Sequence, residues 1–373
     1  MENIKIAIIC FCLSLCFSCT SSSTSNNVNV DMENRLSLEL ANNYLQFDSL
    51  IRVSSKEFLI SSFDKMIRYN SSLFVLDKMQ QVVFKVDTST KNVHKVISRL
   101  GKAKNEYIDI TDIAIDDFCN IYVYDSESGK VNVYNKSGHY LRTINVVFGS
   151  SMAVSKQNEI AINSNQSEDD LIFVFSDSGK ELYHTTPDSQ VPEHTFDEVG
   201  IISSFGNGFV YTRPFDFNVY QTNGASNTSL ALFSFGEKQF DVNTLKGMDI
   251  RDFQKIMYKS TDKIMSLSHL CVYKDLLFFS TDKNDQVLFD MVRNDAFVLS
   301  NLERPYNILF YSLFSVNENG HFCSVISNDN IKNGYLPMIE TNGAKQPQLR
   351  ITRNEVDDDE NAFWILMGKV KCQ

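Results

Sequence analysis

The sequence predicts an all-β fold, a β-propeller of four-stranded antiparallel blades, from its local pattern and from an internal repeat. In residues 110–146, apolar residues rich in β-branched and aromatic side chains alternate with other residues, between Asp, Ser, Gly and Asn clusters. This pattern is typical of an antiparallel meander. A shift of 48 residues aligns the preceding segment with this one and places Asp77 on Asp125. A period of about 40–50 residues with four strands per copy is typical of propellers.

The repeat extends along the chain and gives a count of six blades. A shift of 41 residues carries the pattern forward and places Gly138 on Gly179. The predicted blades are 58–98, 110–146, 151–185, 201–235, 264–300 and a sixth that begins at 311. The sixth blade is one strand short, and one strand is left over at each end of the chain, in 35–40 and 362–370. Pairing of these N- and C-terminal strands would close the ring and protect the sheet edges.

Two segments depart from the β pattern. In residues 249–257 the apolar residues share one helical face and Asp249 precedes them as an N-cap, so we expect a helical insertion before the fifth blade. Residues 328–360 are mostly polar and are expected to be irregular. They end in the acidic run 357–360, which we interpret as a solvated loop, with a Ca²⁺ site as the alternative.

The N-terminus is typical of an export signal followed by a lipid-attachment cysteine. Lys5 precedes an apolar stretch at 6–17, which is too short to span a membrane, and Ser18 and Cys19 precede a Ser/Asn-rich tract. We predict a lipoprotein signal peptide at 1–18, acylation of Cys19 and a flexible tether at 19–34. An ordinary secretory signal is the alternative. Acyl chains on Cys19 would give stable membrane attachment, because two chains suffice for it.

The repeat itself resembles a known family. Gly101–Tyr107 (GKAKNEY), the run IAID ending at Asp116, and NIYV from Asn120 followed by Asp125 resemble an NHL-type propeller repeat. Together with the N-terminus, the chain resembles the six-bladed β-propeller lipoproteins of Bacteroidota. The resemblance implies a single propeller domain at 35–373. It also implies a place in the cell envelope, most simply the outer membrane, on its periplasmic or surface side.

Composition narrows the classes of partner. The formal net charge is −11, from 35 Lys and Arg against 46 Asp and Glu, and no run of basic residues occurs. This argues against nucleic-acid binding and against attachment to a membrane by basic patches. We expect a monomer that meets the membrane through its lipid anchor and a protein or glycan partner at one propeller face.

Four cysteines would remain after export and acylation. Cys119, Cys271, Cys323 and Cys372 lie far apart, without the close spacing of metal or redox pairs. We predict buried thiols, with a disulfide as the alternative.

The chain contains none of the common hydrolase, metalloprotease, nucleotide-loop or EF-hand motifs, so we predict no catalytic residue, metal ligand or cofactor. Asp77 and Asp125 recur after the second strand of a blade. We interpret them as turn carboxylates, with a ring of ligand-binding carboxylates as the alternative.

Four side chains are expected near the channel mouths as ligand contacts: Tyr107, Arg213, Phe215 and Tyr311. Pro214 should fix the loop after a strand and aim Arg213 at an anionic ligand; a surface Arg is the alternative. The preferred function is a non-catalytic, lipid-anchored binding or interaction module. The alternatives are a metal-assisted propeller hydrolase or lyase acting on a carbohydrate or lactone, and an envelope sensor subunit.

Overall fold

The computed structural model describes residues 26–55, 57–164, 172–185, 196, 200–224, 226–311, 314–359 and 361–371. The predicted signal peptide and Cys19 lie outside these residues. Within them, the strands form six sheets, the blades of the propeller.

The element bounds follow in chain order. Before the first blade come β1 (Asn26–Asn29), α1 (Leu38–Tyr44) and β2 (Leu45–Ser54). Blade one contains β3 (Lys65–Tyr69), β4 (Ser72–Asp77), β5 (Val82–Asp87) and β6 (Val93–Ile97). Blade two contains β7 (Asp112–Ile115), β8 (Ile121–Asp125), β9 (Lys130–Tyr134) and β10 (Tyr140–Asn145). Blade three contains β11 (Ser151–Val154), β12 (Ile160–Asn163), β13 (Ile172–Phe175) and β14 (Glu181–Thr185).

The second half repeats the arrangement. Blade four contains β15 (Ile202–Phe205), β16 (Gly208–Arg213), β17 (Asp216–Asn223) and β18 (Ser226–Ser234), and α2 (Ile250–Lys259) follows it. Blade five contains β19 (Leu267–Tyr273), β20 (Leu276–Thr281), β21 (Gln286–Asp290) and β22 (Asp295–Val298). Blade six contains β23 (Phe314–Val316), β24 (His321–Ser327), β25 (Ala362–Val370) and, from the N-terminal part, β2.

The core consists of apolar layers between neighbouring blades. Along β4, side chains alternate between the two faces of the sheet. Leu73 and Val75 pack against blade six, whereas Phe74 and Leu76 pack against blade two. Both faces are therefore buried, and for this reason the middle strands are apolar at nearly every position.

The ring closes as predicted by pairing of N- and C-terminal strands, but the N-terminal partner differs from the predicted one. β25 lies between β24 and β2, in antiparallel register from Leu45 opposite Val370 to Ser54 opposite Ala362. The predicted strand at 35–40 is wrong. Ser37 accepts a hydrogen bond from the Leu40 amide and caps α1, which buries its apolar residues on one face.

The predicted flexible tether at 19–34 is described from Asn26 onwards, and there it is structured. From Asn26 the chain forms β1, which pairs in parallel with β18 as a fifth strand of blade four. Val28 and Val30 are buried beside Phe233 and Phe235, which explains why this short polar-looking stretch adds to the sheet.

The two non-β segments have different outcomes. The helical insertion is confirmed: Asp249 caps α2 and accepts the amides of Arg251 and Asp252. Residues 328–342, expected to be irregular, are helical, because their apolar residues pack on the core of blade six. The segment comprises Asn328–Asn330, the π-helical turn Ile331–Tyr335 and α3 (Leu336–Asn342).

The described part of the acidic run, residues 357–359, pairs with basic groups of this chain. Asp357 and Asp359 contact Arg52 on the closing strand, and Asp358 contacts Lys332. These carboxylates therefore have cationic partners within the protein.

Trp364→Ala should test how far the fold depends on the closing blade. Trp364 is 1% exposed on β25, and its Nε1 donates to Asn328 Oδ1 at 3.0 Å. We expect the free energy of unfolding in urea to fall by about 3–5 kcal/mol, through the cavity and the lost hydrogen bond. Lys369→Ala, at an exposed position of the same strand, should change it by less than about 0.5 kcal/mol. Equal effects of the two substitutions would contradict this role of the strand.

Candidate functional site

A central channel runs along the propeller axis. The innermost strands β3, β7, β11, β15, β19 and β23 line a cavity of about 450 Å³. Their first residues meet at one end, where Lys65 contacts Asp112 and Met152. The turns that follow the strands meet at the other end, where Lys156 pairs with Glu318. We call the face where the innermost strands begin the upper face, and the opposite one the lower face.

A buried ion pair joins three blades at the upper end. Lys65 Nζ lies 2.8 Å from Asp112 Oδ1 and donates to the Met152 carbonyl at 3.3 Å. Asp112, whose side chain is 0% exposed, also accepts the amides of Ile113 and Met152 and the hydroxyl of Ser151. The carboxylate is thus stabilised by four donors, which a buried charge requires.

His269 enters the channel wall from a bulge in β19. The register shifts between Ser268 and Cys271, and His269 adopts a φ of 50°. Gly200 lies against it: a Cβ at this glycine would sit 3.0 Å from the His269 Cα. Burial, and secondarily the positive charge of Lys65, lowers the pKa of His269 to about 4. The imidazole is therefore neutral at neutral pH.

The lower end of the channel carries several acidic side chains, and contacts between blades hold it together. Lys156 Nζ lies 3.0 Å from Glu318, and the Tyr69 hydroxyl donates to the Asp117 carbonyl at 2.8 Å. Burial, together with the neighbouring Glu318 carboxylate, raises the pKa of Asp117. The two ends of the channel thus differ in charge, because Lys65 and Asp112 balance each other at the upper end.

The upper end offers hydrogen-bonding groups on an apolar wall. An ammonium has three donors, and two of those on Lys65 are used by Asp112 and Met152. The third donor and the neutral ring of His269 remain for a ligand. Ile113, Leu270 and Phe314 contribute apolar surface to the same cavity. Among the described residues, no group of three or more His, Cys, Asp or Glu side chains is placed to hold a metal ion.

None of the four ligand contacts expected from the sequence lines this cavity. Tyr107 is buried, and its hydroxyl donates to the Gln81 carbonyl and accepts the Arg99 amide. Burial raises its pKa to about 12. Both hydrogen bonds tie loops together, so the hydroxyl is occupied within the chain.

The other three expected contacts have different surroundings. Phe215, with a φ of 63°, packs between blades four and five against Phe253 of α2. Tyr311 is 44% exposed, and its hydroxyl accepts a hydrogen bond from Asn307. Arg213 ends β16 and is buried, in contrast to the alternative of a surface Arg.

The interpretation of Asp77 and Asp125 as turn carboxylates is confirmed. Asp77 accepts the amide of Gln80, and Asp125 accepts the amide of Ser128. These two amides are themselves related by the 48-residue repeat. The carboxylates are fully buried between loops and lie outside the channel lining.

Three of the four remaining cysteines are described, and all three are free thiols. Cys119 and Cys323 are buried and Cys271 is half-buried, in agreement with the predicted thiols. Burial raises the pKa of Cys323 to about 12, so this thiol is unreactive at neutral pH. Cys372 lies outside the described residues.

Sequence reasoning missed Lys65, Asp112 and His269. The repeat held a usable signal for the acidic partner, since the 48-residue shift places Asp64 on Asp112 at the start of an innermost strand. No comparable signal marked His269, because its position depends on a bulge.

The fold defines the protein as a six-bladed β-propeller with a central channel. A family model described as "6-bladed beta-propeller" (DUF5128) matches residues 18–326. The chain belongs to this family.

Two solved structures are similar to it in fold. One is a Bacteroides fragilis protein named for its inferred export, with 15% identity and a TM-score of 0.63 over 94% of this chain and 100% of that one. The other is a Bacteroides vulgatus member of the DUF4221 family, with 10% identity and a TM-score of 0.52 over 89% of this chain and 99% of that one. A comparison with curated proteins gives no match. No helix among the described residues is long and apolar enough to cross a membrane.

His269→Asn should change how stability depends on pH. The folded pKa is about 4 against about 6.5 in an unfolded chain, so the unfolded state binds more protons between these values. The neutral imidazole therefore makes its full contribution to the free energy of unfolding above pH 6.5. This contribution is lost as the pH falls towards 4. On acidification through this range, the free energy of unfolding in urea should fall less in the variant than in the wild type. We expect the difference to be on the order of 2 kcal/mol.

Asn is the appropriate substitute because it tolerates a positive φ. His139→Asn, at an exposed position in blade two, should leave the pH dependence of the wild type unchanged. Identical pH profiles for wild type and His269→Asn would show that burial does not keep this imidazole neutral.

Proposed function

We propose that the protein is a lipid-anchored binding module of the cell envelope. It holds a neutral, hydroxyl-rich ligand, a glycan segment, at the upper end of its channel without transforming it. The observation that carries the proposal is the placement of Lys65 and the neutral His269 ring in the lining of one cavity.

The charges at this end favour a neutral ligand over an anion. Asp112 balances Lys65 directly behind the wall, and His269 contributes no charge at neutral pH. The free donor of Lys65 and the ring nitrogen of His269 fit hydroxyl groups, while the apolar wall fits the C–H faces of a sugar ring. The cavity volume lies in the range of small-molecule sites.

A binding role also agrees with the state of the acidic group. All the strong acceptor positions of Asp112 are occupied by donors from blades one to three. A carboxylate whose acceptor positions are occupied in this way holds Lys65 in position and offers no free acceptor to a ligand. The site therefore favours recognition over acid–base chemistry.

The N-terminal sequence supports an envelope location and an orientation. Successive strands of a blade alternate in direction, so β18 runs from the lower to the upper face, and β1 runs parallel to it. Asn26 is therefore the end of β1 that lies towards the lower face. Cys19 precedes Asn26 by seven residues, a reach of at most about 25 Å. An acyl anchor at Cys19 would turn the lower face towards the membrane and leave the upper end open.

Cys19→Ser should release the protein from the membrane. We expect the wild type to sediment with the membrane fraction and to require detergent for extraction, because two or more acyl chains anchor stably. The variant should lack the acyl mass and appear in the soluble fraction. Retention of an unacylated variant on the membrane would contradict the proposed anchor. Cys119→Ser, at a buried position, controls for loss of a thiol.

Titration with a set of neutral mono- and oligosaccharides should detect the ligand by calorimetry. We expect saturable binding of at least one member, weakened about tenfold or more in His269→Asn and in Lys65→Met, since a buried hydrogen bond to the ligand is lost in each. Lys156→Met, which removes a lysine at the lower end of the same channel, is the matched control and should bind normally. The proposal would be contradicted if none of the saccharides bound, or if His269→Asn and Lys65→Met both bound with the affinity of the wild type.

A further inference from the structure

Two nitrogen atoms of the buried Arg213 guanidinium have no hydrogen-bond partner among the described residues. Arg213 is 2% exposed, and its Nε and Nη2 atoms are buried without a hydrogen-bond partner. Among the described residues, no carboxylate lies within ion-pair distance of the guanidinium. Nε and Nη2 form the side-on edge of the guanidinium, whose two parallel N–H groups match the two oxygens of a carboxylate or phosphate.

The hydroxyl of Tyr211 lies on the same side of the sheet and also has no partner. Tyr211 and Arg213 are two residues apart on β16, and the extra residues of the register shift between them lie on β17. The alternation of β16 therefore places both side chains on one face. The Arg213 charge acts on this hydroxyl and partly offsets the rise in the Tyr211 pKa that burial causes. The Tyr211 ring stacks on that of Tyr220, with centroids 5.3 Å apart, which holds the phenol in place.

Asp216, which lies opposite Arg213 on the neighbouring strand, is engaged elsewhere. Asp216 Oδ2 accepts the hydroxyl of Tyr220 at 2.8 Å, and its Oδ1 accepts the Asn218 amide at 3.0 Å. It therefore stands beside the tyrosine pair without forming an ion pair with Arg213. Burial of an unpaired guanidinium beside an unpaired hydroxyl is costly, because neither group recovers the hydration that it loses on folding.

We propose that Arg213 and Tyr211 form a binding site for a compact oxyanion, a carboxylate or phosphate group, between blades three and four. The Nε and Nη2 groups would donate two parallel hydrogen bonds to the anion, and the Tyr211 hydroxyl would donate a third.

This site is separate from the channel. Tyr211 packs with Ile172 and Val174 of blade three, and neither Tyr211 nor Arg213 lines the channel cavity. The anion site therefore stands independently of the proposed glycan site, and its test does not use a sugar.

Thermal unfolding of the purified protein in sodium acetate, phosphate or chloride at equal ionic strength tests the proposal. We expect acetate or phosphate to raise the melting temperature by about 2 °C or more over chloride, with saturation, because a ligand that binds only the folded state stabilises it. Calorimetric titration with the effective anion should give a dissociation constant that weakens about tenfold or more in Arg213→Met.

The variants separate binding from folding. Arg213→Met replaces the unpaired cation with an apolar chain, so in chloride it should melt at or above the wild-type temperature. Tyr211→Phe keeps the stacked ring and should weaken anion binding without unfolding the protein. Arg251→Met, at an exposed position of α2, removes the same charge and should respond to anions as the wild type does. The proposal is overturned if neither anion binds, or if Arg213→Met and wild type respond equally.

Discussion

The pairing of β2 with β25 is the constraint on which the rest of this structure depends. It joins residues from the two ends of the propeller and completes blade six, so that each blade buries both of its faces against neighbours. Without it, two blades would each expose an apolar face and the sheet edge would be open. Two further contacts accompany the pairing of β2 with β25. Gly368 allows the Gln46 backbone to approach closely, since a Cβ there would lie 2.2 Å from the Gln46 carbonyl oxygen, and the acidic loop pairs with Arg52 on the closing strand.

Closure also gives the channel its polarity. All innermost strands run in one direction, so residues at equivalent positions of different blades meet at the same end. Lys65, Asp112 and Met152 come from blades one, two and three and meet where their innermost strands begin. The ion pair costs desolvation, which the two amides and the Ser151 hydroxyl offset. The result is an end of the channel that is polar and balanced in charge, which is the property that the proposed glycan site uses.

Arg213 shows a different consequence of blade packing. The middle strands are buried on both faces, and a charged residue at the end of such a strand is enclosed by the next blade. The sequence predicted that the turn containing Pro214 would position this side chain for an anion, and the turn is present between β16 and β17. What the pattern could not show is that the guanidinium would be buried without an ion pair, since that depends on which carboxylates the neighbouring blades bring near.

Periodicity by itself determined the six blades, their approximate limits, the cap of α2 and the turn carboxylates Asp77 and Asp125, because these features depend on contacts between residues close in sequence. It also indicated closure, since a strand remained at each end. Only the tertiary structure decided that β2 is the closing strand, that β1 joins blade four and that 328–342 is helical. It also decided that Lys65 meets His269 at one end of the channel. These features arise from contacts between distant segments and from a bulge that changes which way a side chain points, and neither is encoded in a local alternation of apolar residues.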